Sequence, residues 1–369
     1  MKKDRARVIL EDGSEYLGWT VSGEGTVIAE LVFNTALSGY QEILTDPSYA
    51  GQMVLMTYPM IGNYGVNTSD MESSKIHLSG FLMKEYSETY SNWRAEESLK
   101  SYLSREGIFS AEGFDTRAIT RRIRTQGAVR AEITNTDEST ASILEKIKAH
   151  PSLAGQNLAS VKSCKSSYTW DNGNTGTGQY KVGVIDCGLK QNILRILANY
   201  GCELTVFPFD VSADILRAAK LDGIMISNGP GDPDAVTETI ATIRDLVGEV
   251  PIFGICLGHQ IIAHALGAKT FKMKFGHHGA NHPVQNLATK QVEISSQNHG
   301  FCVDADSLPE GLEVSHLNLY DQSVAGIRHK TLPIQSVQYH PEAAPGPHDS
   351  MAFFESFIEA LEHSRSVAQ

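Results

Sequence analysis

The chain has 369 residues, 41% hydrophobic and 20% charged, with a net charge of −12. That length suits two globular domains, and the balance excludes a disordered or fibrous chain. An acidic chain is also a poor nucleic-acid partner, because phosphate binding needs a basic surface. At the N-terminus only Val8-Ile9-Leu10 separates the basic start from Glu11 and Asp12, too short an apolar run for a signal peptide. Asp12-Gly13 reads as a hairpin turn between strands at 7–10 and 15–19. Further strands are expected at 28–33 and 53–57, and helices at 98–105, 118–124 and 142–148. This half reads as a separate α+β domain, residues 1–162, with nothing catalytic of its own.

Residues 163–179 are dominated by Ser, Thr, Asn and Gly and read as a linker. A second domain, 180–369, then alternates strands and helices. The pattern predicts strands at 181–187, 203–209, 223–227 and 251–255. Helices are predicted at 191–200, from Ser212 to about 220, at 238–247 and at 257–266. Short connections between them imply a mostly parallel open sheet with helices on both faces. After Gly267 strands dominate, at 291–296, 313–317, 324–328 and 335–339, before a last helix at 352–362. No stretch approaches the ~20 apolar residues of a membrane span. The five cysteines, Cys164, Cys187, Cys202, Cys256 and Cys302, form no C-x-x-C pair. That argues against a disulfide framework or zinc site and for a reducing, cytoplasmic setting.

Three stretches carry chemistry. Gly254-Ile255-Cys256-Leu257-Gly258-His259-Gln260 lies where an apolar strand turns into an amphipathic helix. Glycines beside such a turn let the backbone make a nucleophile elbow that exposes Cys256, and the helix N-terminus favours a thiolate. A buried structural cysteine is the commoner fate of a lone Cys, but the glycines and the strand–helix switch favour the nucleophile. His340-Pro341-Glu342 follows a predicted strand, and proline keeps it extended so that residues 340 and 342 project to one side. A distant Cys–His pair oriented by a carboxylate is the arrangement of a catalytic triad. Asn228-Gly229-Pro230-Gly231-Asp232-Pro233 can present backbone N–H groups as an oxyanion hole, together with the N–H of Leu257. Taken alone it would be a plain turn.

Together these stretches resemble the class I (triad) glutamine amidotransferases. Other segments are similar to the carbamoyl-phosphate synthase small chain family. They include Phe33-Asn34-Thr35, the run from Gly39 to Tyr49, Thr57-Tyr58-Pro59, Ile61-Gly62-Asn63 and Asp115-Thr116-Arg117. In the second half Lys274-Phe275-Gly276-His277-His278-Gly279, Asn298-His299-Gly300-Phe301 and Pro345-Gly346-Pro347-His348-Asp349 match as well, so the resemblance spans essentially the whole chain. It implies a Cys256–His340–Glu342 triad. It also implies an L-glutamine site at Ser48, Gly229, Gly231, Leu257, Gln260, Asn298, Gly300 and Phe301, which would lie at a domain interface. The N-terminal domain would serve partner and interface contacts. No metal or cofactor is implied for this chain, which lacks a G-x-x-x-x-G-K-[ST] loop. A separate large subunit would use ATP and Mg²⁺ on bicarbonate. The oligomeric state of that heterodimer stays open. A triad glutaminase of another synthase and a non-catalytic subunit with this fold remain the alternatives.

Three features are assigned no site. His277, His278 and His282 lack a usual zinc spacing and read as a polar loop near the site. His259 reads as a packing residue or a support to the site. The basic helix from Arg117 to Arg124 reads equally as a solvated face or a docking surface.

Overall fold

The computed structural model describes residues 4–171 and 178–368. They form two compact units, Met1–Leu153 with Lys274–Gly279, and Ala154–Met273 with Ala280–Gln369. The division falls upstream of the expected 163–179 linker, of which 172–177 lies outside the described residues. The physical reason is that the segment from Ala159 to Cys164 already packs on the C-terminal unit. Ala159 is part of its core, Ser163 Oγ accepts from Phe209 N at 2.9 Å, and Cys164 N donates to Asp186 at 2.8 Å.

In the N-terminal unit, β1 (Arg5–Leu10), β2 (Glu15–Ser22), β3 (Thr26–Asn34), β4 (Gln52–Met56), β5 (Gly80–Leu82), β6 (Phe109–Glu112) and β7 (Val129–Thr134) close into a barrel of order β1-β2-β6-β5-β4-β3-β7. The expected α+β domain thus has its strands closed into a barrel, which the sequence pattern did not indicate. Three strands, β5 to β7, escape the sequence pattern, and closure depends on the long-range pairing of Val8 with Ile133. Apolar residues from alternating positions, among them Val8, Leu31, Met53 and Ile133, fill the barrel. The helices α1 (Tyr40–Thr45), α2 (Leu99–Arg105), α3 (Thr116–Gln126) and α4 (Thr140–Ala149) surround it. In α3 the Asp115 carboxylate caps Ala118 N, and Ile119 and Ile123 face the barrel core while Arg117, Arg121 and Arg124 are exposed.

The C-terminal unit carries α5 (Ala159–Lys162), β8 (Tyr168–Thr169), β9 (Tyr180–Asp186), α6 (Gln191–Asn199), β10 (Cys202–Pro208), α7 (Ala213–Ala218), β11 (Gly223–Ile226), α8 (Thr237–Leu246), β12 (Ile252–Ile255) and α9 (Leu257–Ala265). Then come β13 (Thr270–Asn286), β14 (Val292–Val303), β15 (Leu312–Asn318), β16 (Val324–His329), β17 (Ile334–Val337) and α10 (Ala352–Ala368). The sheet order is β8-β10-β9-β11-β12-β17-β16-β15-β13-β14. Strands β10, β9, β11, β12 and β17 run parallel, and the sheet continues antiparallel from β16 onward. The expected parallel sheet is thus the centre of a mixed one. Helices α7 to α9 supply Leu216, Ile240 and Ile261 to one face. The other face is covered by α6 and α10 through Ile193, Leu197, Phe354 and Phe357. Burial on both faces is what the near-continuous apolar runs of β9 and β11 encode. His277, His278 and His282 sit on the long strand β13 and are buried, which corrects the expected polar loop.

Candidate active site

The parallel order brings the carboxyl ends of β9, β11, β12 and β17 side by side, where open α/β sheets hold their ligands. At the end of β12 Cys256 adopts φ 55° and ψ −102°, a backbone region that non-glycine residues rarely visit. Its N–H donates to Val337 O at 2.9 Å, and α9 starts at the next residue. The turn is possible because α9 lies tight on β11. A Cβ on Gly258 would meet Ile226 O at 2.3 Å. The N–H of Leu257, at the first helical position, has no intrahelical acceptor.

The Cys256 thiol donates to Asn298 O at 3.5 Å and accepts from Gln338 Nε2 at 3.7 Å. His340 follows β17, and its N–H donates to Ser296 O at 2.9 Å, which fixes the backbone against β14. The His340 Nδ1–H donates to Glu342 Oε1 at 2.7 Å, so the other nitrogen, Nε2, carries the free lone pair in the neutral ring. That Nε2 is buried without a hydrogen-bond partner among the described residues. Lys190 Nζ donates to the same Glu342 oxygen at 2.8 Å, and the Lys190 N–H donates to Asn228 Oδ1 at 3.0 Å. Burial opposes the charged form of both His340 and Glu342, yet mutual attraction wins. The imidazole is held more basic than usual by the Glu342 carboxylate, against an opposing push from Lys190 and with help from Cys256 beside it. The carboxyl is held well below the usual range by Lys190 and His340.

The loop after β11 packs under the elbow. Asn228 Nδ2 donates to Gly188 O at 3.0 Å, and a Cβ on Gly229 would stand 2.1 Å from Cys187 O. Gly231 has φ +97° and lies against Gln156 O. Asp232 ends the loop by accepting from Gly155 N and Asp234 N. Gln260 Nε2 donates to Phe301 O at 2.8 Å and Gln338 Oε1 at 3.0 Å, so its amide ties α9 to β14 and to the residue after β17. Asn298, Gly300 and Phe301 all lie on β14, and the space a Cβ would take at Gly300 is open. The structure therefore brings together Cys256, His340, Glu342, Gly229, Gly231, Leu257, Gln260, Asn298, Gly300 and Phe301 in one unit. Ser48 lies in the other unit, on the short 3₁₀ turn Pro47–Tyr49 capped by Asp46. His259 is buried with Nδ1 2.9 Å from Ser336 Oγ, and burial pushes its imidazole down to about 3, which suits a packing role. Among the described residues no group of three or more His, Cys, Asp or Glu side chains is placed to hold a metal ion.

Residues 183–360 match the family described as Glutamine amidotransferase class-I. Residues 8–133 match Carbamoyl-phosphate synthase small chain, CPSase domain. The chain is 50% identical over 99% of its length to the whole of a protein named carbamoyl phosphate synthase small chain from Chlorobaculum tepidum. The chain belongs to the carbamoyl phosphate synthase small chain family. Other relatives of that name are similar over 98% of the chain. One, from Arabidopsis thaliana and named chloroplastic, is 50% identical with 86% of its length covered. Another, from Syntrophotalea carbinolica, is 47% identical with 99% of its length covered.

In this member of the small chain family, sequence reasoning missed Lys190 and Gln338. Lys190 opens α6 and looks like an ordinary surface lysine, but its side chain is only 8% exposed because it reaches Glu342. A lysine directly after a buried strand end, at Asp186-Cys187-Gly188-Leu189-Lys190, was the available signal. Gln338 offered one too, since it stands two residues before His340 and so shares its side of an extended segment.

Proposed function

We propose that this chain hydrolyses the side-chain amide of L-glutamine through Cys256, His340 and Glu342. The ammonia then passes to a large subunit that makes carbamoyl phosphate from bicarbonate with ATP and Mg²⁺. The observation that carries the reading is the strained Cys256 beside an imidazole whose Nδ1–H is held by Glu342 at 2.7 Å. His340 Nε2 takes the thiol proton, and the thiolate attacks the carboxamide carbon. The N–H groups of Leu257 and Gly229 receive the oxyanion. His340 returns the proton to departing ammonia, leaving a glutamyl thioester. Water that gives its proton to His340 then releases glutamate. Gly231, Gln260, Asn298, Gly300 and Phe301 are assigned to the glutamine site, as is Ser48 from the N-terminal unit.

The reading assigns no cofactor or metal to this chain and gives the N-terminal unit the partner contacts. A cytoplasmic setting belongs to the same proposal and rests on five free cysteines. No described helix is long and apolar enough to cross a membrane. A glutaminase of another synthase would use the same site, but the match over residues 8–133 favours the present partner.

The test pairs two nitrogen sources on one complex. With Cys256→Ala, glutamine-dependent synthesis is lost while synthesis from ammonium salt survives, better at higher pH where more amine is free base. Equal loss with both sources would refute the assignment.

A further inference from the structure

We propose that the Gln338 side-chain amide is the donor that stabilises the Cys256 sulfur once it becomes a thiolate, and that Gln260 fixes that amide in its donating orientation. The inference rests on the reading of Cys256 as the nucleophile.

Gln338 is 1% exposed and Gln260 3%, so both amides must find their partners inside the protein. Gln260 Nε2 donates to Gln338 Oε1 at 3.0 Å, which commits the oxygen end of the Gln338 amide. Its Nε2 is thereby turned to Cys256 Sγ at 3.7 Å. A flipped amide would set one NH₂ against another and point an oxygen at the sulfur. Gln260 is itself anchored, because its second N–H donates to Phe301 O at 2.8 Å.

The opposite side of the sulfur explains why a donor matters. The thiol hydrogen is given to Asn298 O at 3.5 Å, a contact that exists only for the neutral group. When the proton moves to His340 Nε2, that carbonyl faces an anion and repels it. Two N–H groups then face the charge, the new imidazolium Nε2–H and Gln338 Nε2–H. A hydrogen bond to a charged acceptor is about twice as strong as a neutral one and shorter. The amide therefore does little for the resting thiol and more for the reactive form, which is the differential binding that catalysis requires.

The experiment follows alkylation of Cys256 by iodoacetamide, read by peptide mass spectrometry from acid to mildly alkaline pH, on the full chain. Gln338→Leu should slow the reaction at neutral pH roughly tenfold, the loss of one charge-assisted hydrogen bond, and displace the profile to higher pH. Gln338→Glu keeps the size and the contact with Gln260 but turns an oxygen to the sulfur, so its profile should move further. Gln260→Ala, which frees the amide to rotate, should move it the same way by less. In turnover, kcat should fall more than KM rises. Unchanged alkylation profiles in the Gln338 variants would overturn the proposal whatever happens to turnover. If Gln338→Leu does not fold, the Glu variant decides. Glutamine hydrolysis surviving Cys256→Ala would instead overturn the nucleophile reading.

Discussion

Replacing Lys190 by Met tests the electrostatics of the site. Lys190 and Glu342 are 8% and 0% exposed at 2.8 Å, so the pair is buried. An exposed pair would contribute about 0.2–1 kcal/mol, whereas breaking a buried one costs about 3–5 kcal/mol because a charge is left without compensation. Once Lys190 is gone Glu342 keeps only the His340 Nδ1–H on Oε1, since Oε2 already lacks a hydrogen bond among the described residues. For a unit of this size the loss is a fall in Tm of roughly 10 °C. The pH effect has a definite sign. Lys190 opposes protonation of both His340 and Glu342. Without it the imidazole becomes more basic, and thioester hydrolysis, which needs the neutral ring, shifts to higher pH. Thermal melts and the pH profile of single-turnover deacylation measure the two effects. Adding Glu342→Gln should restore most of the Tm but not the activity. A Lys190→Met protein with native Tm and native pH profile would refute the reasoning.

Other outcomes follow from named contacts. Cys164 is pushed up by burial to about 11, and Cys202 and Cys302 to about 12, so mild alkylation should label Cys256 before these; heavier early labelling of any of them counts against the nucleophile. Gly229→Ala has no room beside Cys187 O and should shift the loop, lowering kcat on the order of a hundredfold with the fold retained; a native kcat would remove Gly229 from the oxyanion site. Ser48→Ala should raise KM for glutamine by roughly tenfold with kcat nearly unchanged, and a native KM would remove Ser48 from the substrate site. Glu132 is fully buried between Ile9 and Ile28 with neither oxygen hydrogen-bonded among the described residues, and burial pushes its carboxyl up to about 7, partly countered by Lys146 and raised further by Glu138. The folded state therefore holds a proton that the unfolded state loses, so stability should fall from about pH 4.3 to about pH 7 and level off above, by about 2 kcal/mol after screening; Glu132→Gln should flatten that slope in urea titrations, and an unchanged slope would exclude this group.

The parallel strands of the C-terminal sheet were legible because they announce themselves, whereas the long strand β13, with its glycines and histidines, was not. Strand β9, expected at 181–187, runs Tyr180–Asp186, and β12, expected at 251–255, runs Ile252–Ile255. Each is a short apolar run bounded by turn residues, and local pattern is enough. The barrel was not legible for the opposite reason. Strand β5 has three residues and β6 four, below the length at which alternation can be read. Strand β7 places Arg130 and Glu132 among its apolar residues, and it is held by pairing with β1 across the chain. The site divides in the same way. The Cys256 elbow and His340-Pro341-Glu342 are local patterns. Lys190 meets Glu342 across 152 residues and Gln338 meets Cys256 across 82, and the local context of a single Lys or Gln does not name so distant a partner.

The same strand that holds the Cys256 backbone also carries Gln338 and His340 at its end. Ile255 pairs with Val337, and the next N–H, that of Cys256, donates to Val337 O. Register at this point sets the thiol height against β17. Side chains alternate along an extended segment, so Gln338 and His340 share the face toward Cys256. Tyr339 points the other way, into the core with Phe353 and Phe357. A slip of one residue would exchange those faces, removing amide and imidazole together and setting a phenol against the sulfur. The strained φ of Cys256 is therefore held by the pairing that aligns its partners. Any substitution that loosens β12 against β17 should lose thiol reactivity and proton transfer together rather than one at a time.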